Sequence, residues 1–474
     1  MIRLLLMALL ILLMLLPTLP AFAGEYEPLP LKDKTDYTWL YQNPLRGDVA
    51  DPFIVPYEGR YYCFSTGGHR FDVKYTTRFR RWKTASSLTA LRGTAWSTQH
   101  HWAPEVYQYN GKWVMLFSAQ MGADYDLRVS MAFADKITGP YTDPGDKPFL
   151  DPGYNVIDAS LFVDDDGTPY LLFVRDCSEN YVGFYQCSHT YGVRLTEDLS
   201  AMVGEPVCLT VPDTPWEKKS SPVLWNEGVF IRKHDGKYYL YYSANAYNTG
   251  DYAVGVAVSD APLGPYVKQA NNPILTQVTD ENGKRLVCGV GHNAFFTVGE
   301  ELFTAYHCST DPIHPSAARS LCIDRAGYHA DGTAFINGPT LAKQLVPLAD
   351  LGLTDLTPAA ALSAGERGEL LRDGDYCIAD SSADYLWHGA SVTLTWDEPV
   401  IASLIQIYPQ GGEKATGRLI LNDAWQINVD FSALEALPGV HIVLHFDDLA
   451  ITSLRLELDA EAALGEVRVI GPAQ

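Results

Sequence analysis

Basic residues are in short supply in this chain: 35 Lys and Arg stand against 57 Asp and Glu, a formal net charge of −22. Nucleic acid and anionic membrane surfaces would be repelled by such a molecule, so neither is expected as a partner. Long hydrophobic runs are equally scarce. One occurs, from Leu4 to Leu16, behind Arg3 and ahead of Ala21-Phe22-Ala23. It is short for a membrane span, and its charged start and A-x-A end read as a cleaved export signal over residues 1–23. No second run follows, so the mature protein is expected to be soluble, secreted to the exterior or the periplasm, and free of the membrane. The eight cysteines include no CxxC and no compact Cys/His cluster, which argues against a structural zinc. Export permits disulfides; Cys177 with Cys187 and Cys308 with Cys322 are candidates by proximity, while the full connectivity is not readable. Helical periodicity is almost missing between residues 45 and 345.

What the chain does have is aromatic strand material: 28 Tyr, 18 Phe and 10 Trp within a composition that is 47% hydrophobic. Five segments repeat one pattern, a short apolar run, a turn containing Gly and a strongly aromatic run. They begin near Asp51, Glu105, Asp158, Glu227 and His292, at separations of 54, 53, 69 and 65 residues. Turn pairs such as Asn110-Gly111, Asp166-Gly167 and Asp235-Gly236 mark them as β-hairpins. Another alternating stretch follows each hairpin, as in Tyr125 to Asp135 and Tyr252 to Asp260. About four strands per unit is the content of one propeller blade, so an all-β, five-bladed β-propeller is expected over residues 24–348. A stack of sandwiches is the competing architecture, and the regular repeat disfavours it.

In a propeller the innermost strands line one axis, so equivalent strand starts converge on one face. Asp51, Glu105, Asp158 and Glu227 all lie at or beside such starts. Any one of them alone reads as a turn or cap residue. Their recurrence is harder to explain by stability, because clustered carboxylates repel and raise one another's pKa. Such a cluster suits glycoside hydrolysis, which needs one protonated acid for the leaving oxygen and one ionised carboxylate for water or carbon.

The same stretches resemble glycoside hydrolase family 43, a family of inverting five-bladed propellers acting mainly on arabinose- and xylose-containing glycans. The likeness rests on Ala50-Asp51-Pro52-Phe53-Ile54, His101-Trp102-Ala103-Pro104-Glu105-Val106, Val156-Ile157-Asp158-Ala159-Ser160 and Asn226-Glu227-Gly228. It extends through Tyr238 to Ser243, Gly291-His292-Asn293 and Arg319 to Asp324. The resemblance implies Asp51 as general base, Asp158 as the pKa modulator that orients the acid, and Glu227 as general acid. It sets His292 near the axis, where some members hold a calcium ion; no cofactor is required, and calcium prefers oxygen ligands, so the metal is the less favoured option. Arg319 is implied as a substrate-facing arginine or a carboxylate partner. Trp102 and Trp225 flank motif acids and read equally as a sugar platform or as packing between blades. His69 is a weaker subsite candidate, and Glu105 is expected to be structural or substrate-orienting.

Residues 349–366 read as a linker, and short alternating strands over 367–474 predict a β-sandwich accessory domain resembling a galactose-binding-like jelly roll. Its role, glycan binding or bracing, is open. The expected partner is a carbohydrate containing arabinose or xylose. The expected activity is release of L-arabinofuranose from plant-type polysaccharide side chains, followed in preference by β-xylosidase and endo-arabinanase. The rival of another class is a non-catalytic glycan-binding propeller, which would have no need of a proton donor.

Overall fold

The computed structural model describes residues 26–32, 37–68, 71–84, 91–92, 96–376 and 385–473. Among them, five sheets, antiparallel but for one edge pairing in the second, follow one another along the chain as blades of a β-propeller. Blade I runs from Phe53–Tyr57 through Arg60–Ser65 and Asp72–Thr76 to Lys83–Thr84. Blade II holds Ser97–Tyr109, Lys112–Met121, Asp126–Ala134 and Tyr141–Thr142, with Leu91–Arg92 at its edge. Blade III comprises Val156–Val163, Pro169–Arg175, His189–Leu195 and Met202–Thr210. Blade IV comprises Asn226–His234, Lys237–Ala244, Ala253–Ser259 and Val267–Lys268. Blade V comprises Gly291–Val298, Glu301–Ser309, Arg319–Tyr328 and Ala334–Ile336, and Arg46–Gly47 adds to its third strand.

The hairpin chemistry follows the turn residues. Asn110-Gly111 and Asp235-Gly236 have positive φ at both positions (47° and 75°, 45° and 74°), the mirror-image turn that matches strand twist. Asp166-Gly167 departs from this: it lies in a longer loop, 164–168, closed by the Asp164 N–H donating to the Thr168 carbonyl at 3.0 Å. Apolar side chains fill the seams between blades. Phe53 of blade I meets Tyr107 of the adjacent blade II at 5.1 Å and, across the axis, Phe230 of blade IV at 6.5 Å; burying one such ring stabilises by about 1.5–3 kcal/mol.

At the head of every inner strand one residue adopts positive φ: Asp51 (50°), Ala103 (44°), Asp158 (55°), Gly228 (58°) and His292 (51°). In blades II to V this residue coincides with a break in the ladder register, a β-bulge. Bulges re-aim side chains at sheet rims; here they accompany the turning of Asp158 and His292 into one cleft, which Asp51 joins through its positive φ alone. Each bulge N–H is then caught by the preceding blade. Ala103 donates to Thr66 Oγ1 at 2.8 Å, Asp158 to Ser118 Oγ at 2.8 Å and His292 to Ser243 Oγ at 2.7 Å. The Asp51 N–H closes the circle on His307 Nδ1 at 3.3 Å. The corresponding residue of blade III is Val174, paired with Ile157, and it has no acceptor to offer. There the Gly228 N–H bonds to Oδ2 of Asp158 instead, at 2.9 Å.

Beyond the propeller, the long strand Trp387–Pro409 pairs with several stretches of Ile442–Pro472, so the sheet folds over an apolar core as a β-sandwich. The stretch 349–366 is less of a linker than its Ala/Leu/Thr/Gly-rich composition indicates: Leu353–Asp355 and Ala361–Ser363 are strands of this sheet. Glu27–Pro28 also pairs here, with Trp425–Asp430. Buried charges join the sandwich to blade V: Arg325 Nε donates to Glu301 Oε1 at 2.8 Å, and Arg468 bridges Asp355 at 2.8 Å and Glu301 at 3.7 Å.

The expected cysteine pairs are thiols in the structure. Cys308 faces Ser320 and Cys322 faces Tyr306 across the ladder, an offset that leaves the two sulfurs in contact at 3.5 Å, well beyond a bond. Cys377 and the expected export signal lie outside the described residues. No helix among the described residues is long and apolar enough to cross a membrane.

Candidate active site

The axial cleft has a volume of about 440 Å³. Asp51, Asp158, Glu227, Trp102, Trp225, His292 and Arg319 all line it, so seven of the eight expected site residues come together. The eighth, His69, lies outside the described residues. A larger cavity of about 650 Å³ lies between propeller and sandwich but gathers none of the three acids.

Asp51, Asp158 and Glu227 are each 8% exposed, buried yet reachable from the cleft. Their surroundings differ sharply. Burial alone would raise the Asp51 carboxyl, but Arg319, His292, His307 and Thr66 together hold it well below the usual carboxylate range. Arg319 Nη1 donates to Oδ1 at 2.8 Å, and Nδ1 of both His292 and His307 lies 3.4 Å from the same oxygen. The Thr66 hydroxyl donates to Oδ2. Glu227 is pushed the other way, by burial first and then by the neighbouring charge of Asp158, against one lowering contact from Tyr252. Asp158 is raised by burial, with His292 opposing and Asp51 adding to the shift. One carboxyl is thus held ionised while another, in the same cleft, is driven toward its protonated form.

Gly228, directly after Glu227, is required twice over: its φ is positive, and a Cβ there would sit 3.2 Å from His292 Cα. Glu105 lies two residues past its bulge and misses the cleft. It is buried, accepts from Tyr107 and is pushed up to about 8, chiefly by burial. Trp102 does both things expected of it: it lines the cleft and packs among Leu127 and Ile157.

Sequence reasoning missed Thr66, Tyr125, Asp176 and Tyr247, which also line the cleft. Tyr125 crosses Trp102 edge-on at 6.2 Å, and Tyr247 lies under the Arg319 guanidinium at 4.6 Å. His307 and Tyr252, which hold the acids from behind, were missed as well. The calcium considered beside His292 meets an unsuitable donor set. The nearby groups are imidazole nitrogens and an Asp51 oxygen already engaged by Arg319, whereas calcium takes six to eight oxygens. Among the described residues, no three His, Cys, Asp or Glu side chains converge as a metal site.

Comparison with known proteins agrees with this geometry. The model for glycosyl hydrolases family 43 matches residues 41–334. A xylosidase/arabinosidase of Bacteroides ovatus is 33% identical over 337 residues, covering 63% of this chain and 97% of that protein. An extracellular exo-α-(1→5)-L-arabinofuranosidase of Streptomyces avermitilis is 26% identical over 320 residues, 62% of each chain. The crystal structure of a thermostable family-43 glycoside hydrolase superposes with a TM-score of 0.60 at 37% identity, covering 65% of this chain and 99% of that one. With its propeller, its trio of acids and a family match across most of the propeller, the chain belongs to glycosyl hydrolases family 43 and is a glycoside hydrolase acting on carbohydrate.

Proposed function

We propose that the protein is an exported, inverting exo-α-L-arabinofuranosidase in which Asp51 is the general base, Glu227 the general acid and Asp158 the residue that orients and tunes the acid. The observation that carries this reading is the opposite push on two carboxyls of one cleft, the arrangement that divides acid from base roles. In the proposed cycle, Asp51 takes a proton from water as the water oxygen attacks the anomeric carbon. Glu227 gives its proton to the glycosidic oxygen as the carbon–oxygen bond breaks on the opposite face. Asp51 ends neutral and Glu227 ionised, and both reset by exchange with solvent.

Trp102, Trp225 and the rim residues Tyr125 and Tyr247 offer flat faces to a sugar, while His292 and Arg319 reach its hydroxyls. A cleft of about 440 Å³ is near the small end of ligand pockets and favours a chain end over the interior of a polymer. Arabinose is supported by the exo-arabinofuranosidase relative, and export by that relative's description as extracellular together with the signal-like residues 1–23. β-Xylosidase is the second reading, supported by the 33% identity to the xylosidase/arabinosidase.

The test is sugar release from arabinan, arabinoxylan and aryl α-L-arabinofuranosides, β-D-xylosides and β-D-galactofuranosides, with Asp51→Ala in parallel. Release of arabinose that is lost in the variant, appearing first as the inverted anomer by proton NMR, supports the proposal. Release of xylose alone selects the second reading, and a retained anomer overturns the mechanism.

A further inference from the structure

Tyr252 stands behind Glu227, fully buried, and its hydroxyl donates to Oε1 at 2.9 Å. Its ring lies parallel to the imidazole of His307, 5° apart in plane and 5.5 Å between centroids. His307 in turn accepts the Asp51 N–H. Tyr252 therefore touches the base side of the cleft through a stack and the acid side through a hydrogen bond. Gly291 makes room for it, since a Cβ there would come within 2.3 Å of Tyr252 Cε1.

We infer that Tyr252 is a positioning residue for the acid, fixing which oxygen of Glu227 carries the proton it delivers. The direction of the chain of hydrogen bonds supports this. A backbone N–H can only donate, and the His292 N–H donates to Ser243 Oγ at 2.7 Å. The Ser243 oxygen is thereby engaged by the main chain, and its hydroxyl belongs to the surroundings of the Tyr252 phenol. The Tyr252 proton then points to Oε1 of Glu227, leaving that oxygen as acceptor and Oε2 as the proton-bearing atom. Successive bonds in such a chain strengthen one another. The inference rests on Glu227 being the acid, so its test must separate the two claims.

Tyr252→Phe keeps the ring stack and deletes the hydroxyl. Activity is compared on a natural glycan linkage, whose leaving oxygen needs a proton, and on a dinitrophenyl glycoside, whose leaving group does not. The expected result is a loss of about tenfold or more in kcat on the glycan and roughly threefold or less on the aryl glycoside. The basic limb of kcat/KM also moves to higher pH, because a bond that favours the ionised carboxylate is gone. Equal losses on both substrates, or an unmoved limb, overturn the inference. Ser243→Ala, one bond further back, shows the same pattern to a lesser degree and serves if the first variant does not fold. Glu227→Gln is the control for the underlying reading: if it lacks the same discrimination between leaving groups, the acid assignment fails and this inference with it.

Discussion

Nη1 of Arg319 lies 2.8 Å from Oδ1 of Asp51, inside a cleft where burial by itself would favour the neutral carboxyl. Replacing Arg319 with Met removes the largest influence that lowers the Asp51 pKa, so that pKa rises. A base must be ionised, and the acid limb of kcat/KM is therefore expected to move to higher pH, by a unit or more on the order of magnitude of a close charge pair. A pH–rate profile of Arg319→Met checks this, and an unmoved limb argues against Asp51 as the base.

Glu105 gives a stability signature. Its carboxyl, ordinarily near 4.5, is pushed up to about 8 by burial, so the folded state holds a proton that the unfolded state releases. Its influence on stability is therefore most favourable below pH 4.5 and declines as pH rises through about 8. Glu105→Gln keeps a neutral side chain of the same shape. Thermal melts of the variant should fall less than those of the parent between pH 5 and 8, with activity largely preserved.

The seam between blades III and IV can be tested by a double-mutant cycle. Asp158→Ala strands the Gly228 N–H, a loss of about 1–3 kcal/mol for a buried donor left unpaired. Val174→Ser supplies the acceptor that Ser118 and Ser243 supply elsewhere. It is expected to destabilise the parent slightly, by burying an unneeded hydroxyl, and to stabilise the Asp158→Ala background. Additive melting temperatures would show that no bond passes through this position.

His329 reaches across to the sandwich, 3.1 Å from Asp373 and 3.2 Å from Asp375, and these carboxylates raise it to about 9 against the opposing effect of burial. A raised folded pKa contributes stability fully present below 6.5 and lost as pH climbs through 9. The parent is expected to lose more thermal stability between pH 7 and 10 than His329→Gln does. Together with the buried Arg468 bridge, this ties the sandwich to the propeller, so deleting residues 360–474 should leave an aggregating propeller rather than merely weaken polymer binding.

The five repeats were legible because the aromatic runs are regular, and they located Asp51, Asp158, Glu227 and His292 on one face. What stood behind those residues was harder to read. Thr66, Ser118, Val174, Ser243 and His307 lie toward or just past the end of the second strand of each blade, each the seventh residue after Gly59, Gly111, Gly167, Gly236 and Glu300 of the turns. The signal was present, but a lone Ser, Thr or His at a strand end carries no chemistry until its cross-blade partner is known. Glu105 was grouped with the other acids because sequence counts distance along the strand and does not see the bulge at Ala103. Two residues past that bulge, the side chain is buried against Tyr107 and does not line the cleft. Tyr125 and Tyr247 arrive on loops whose course no periodicity encodes.

The circle of bonds around the cleft has main-chain donors at every step, and only its acceptors are side chains. A substitution at Asp51, Ala103, Gly228 or His292 leaves the donating amide in place unless proline is introduced. At Ala103 and His292 the side chain can thus change while the main chain stays bonded, whereas Gly228 has no room for one and Asp51 keeps its bond but not its proposed chemistry. Asp158 is the exception, a residue whose replacement alters scaffold and chemistry together.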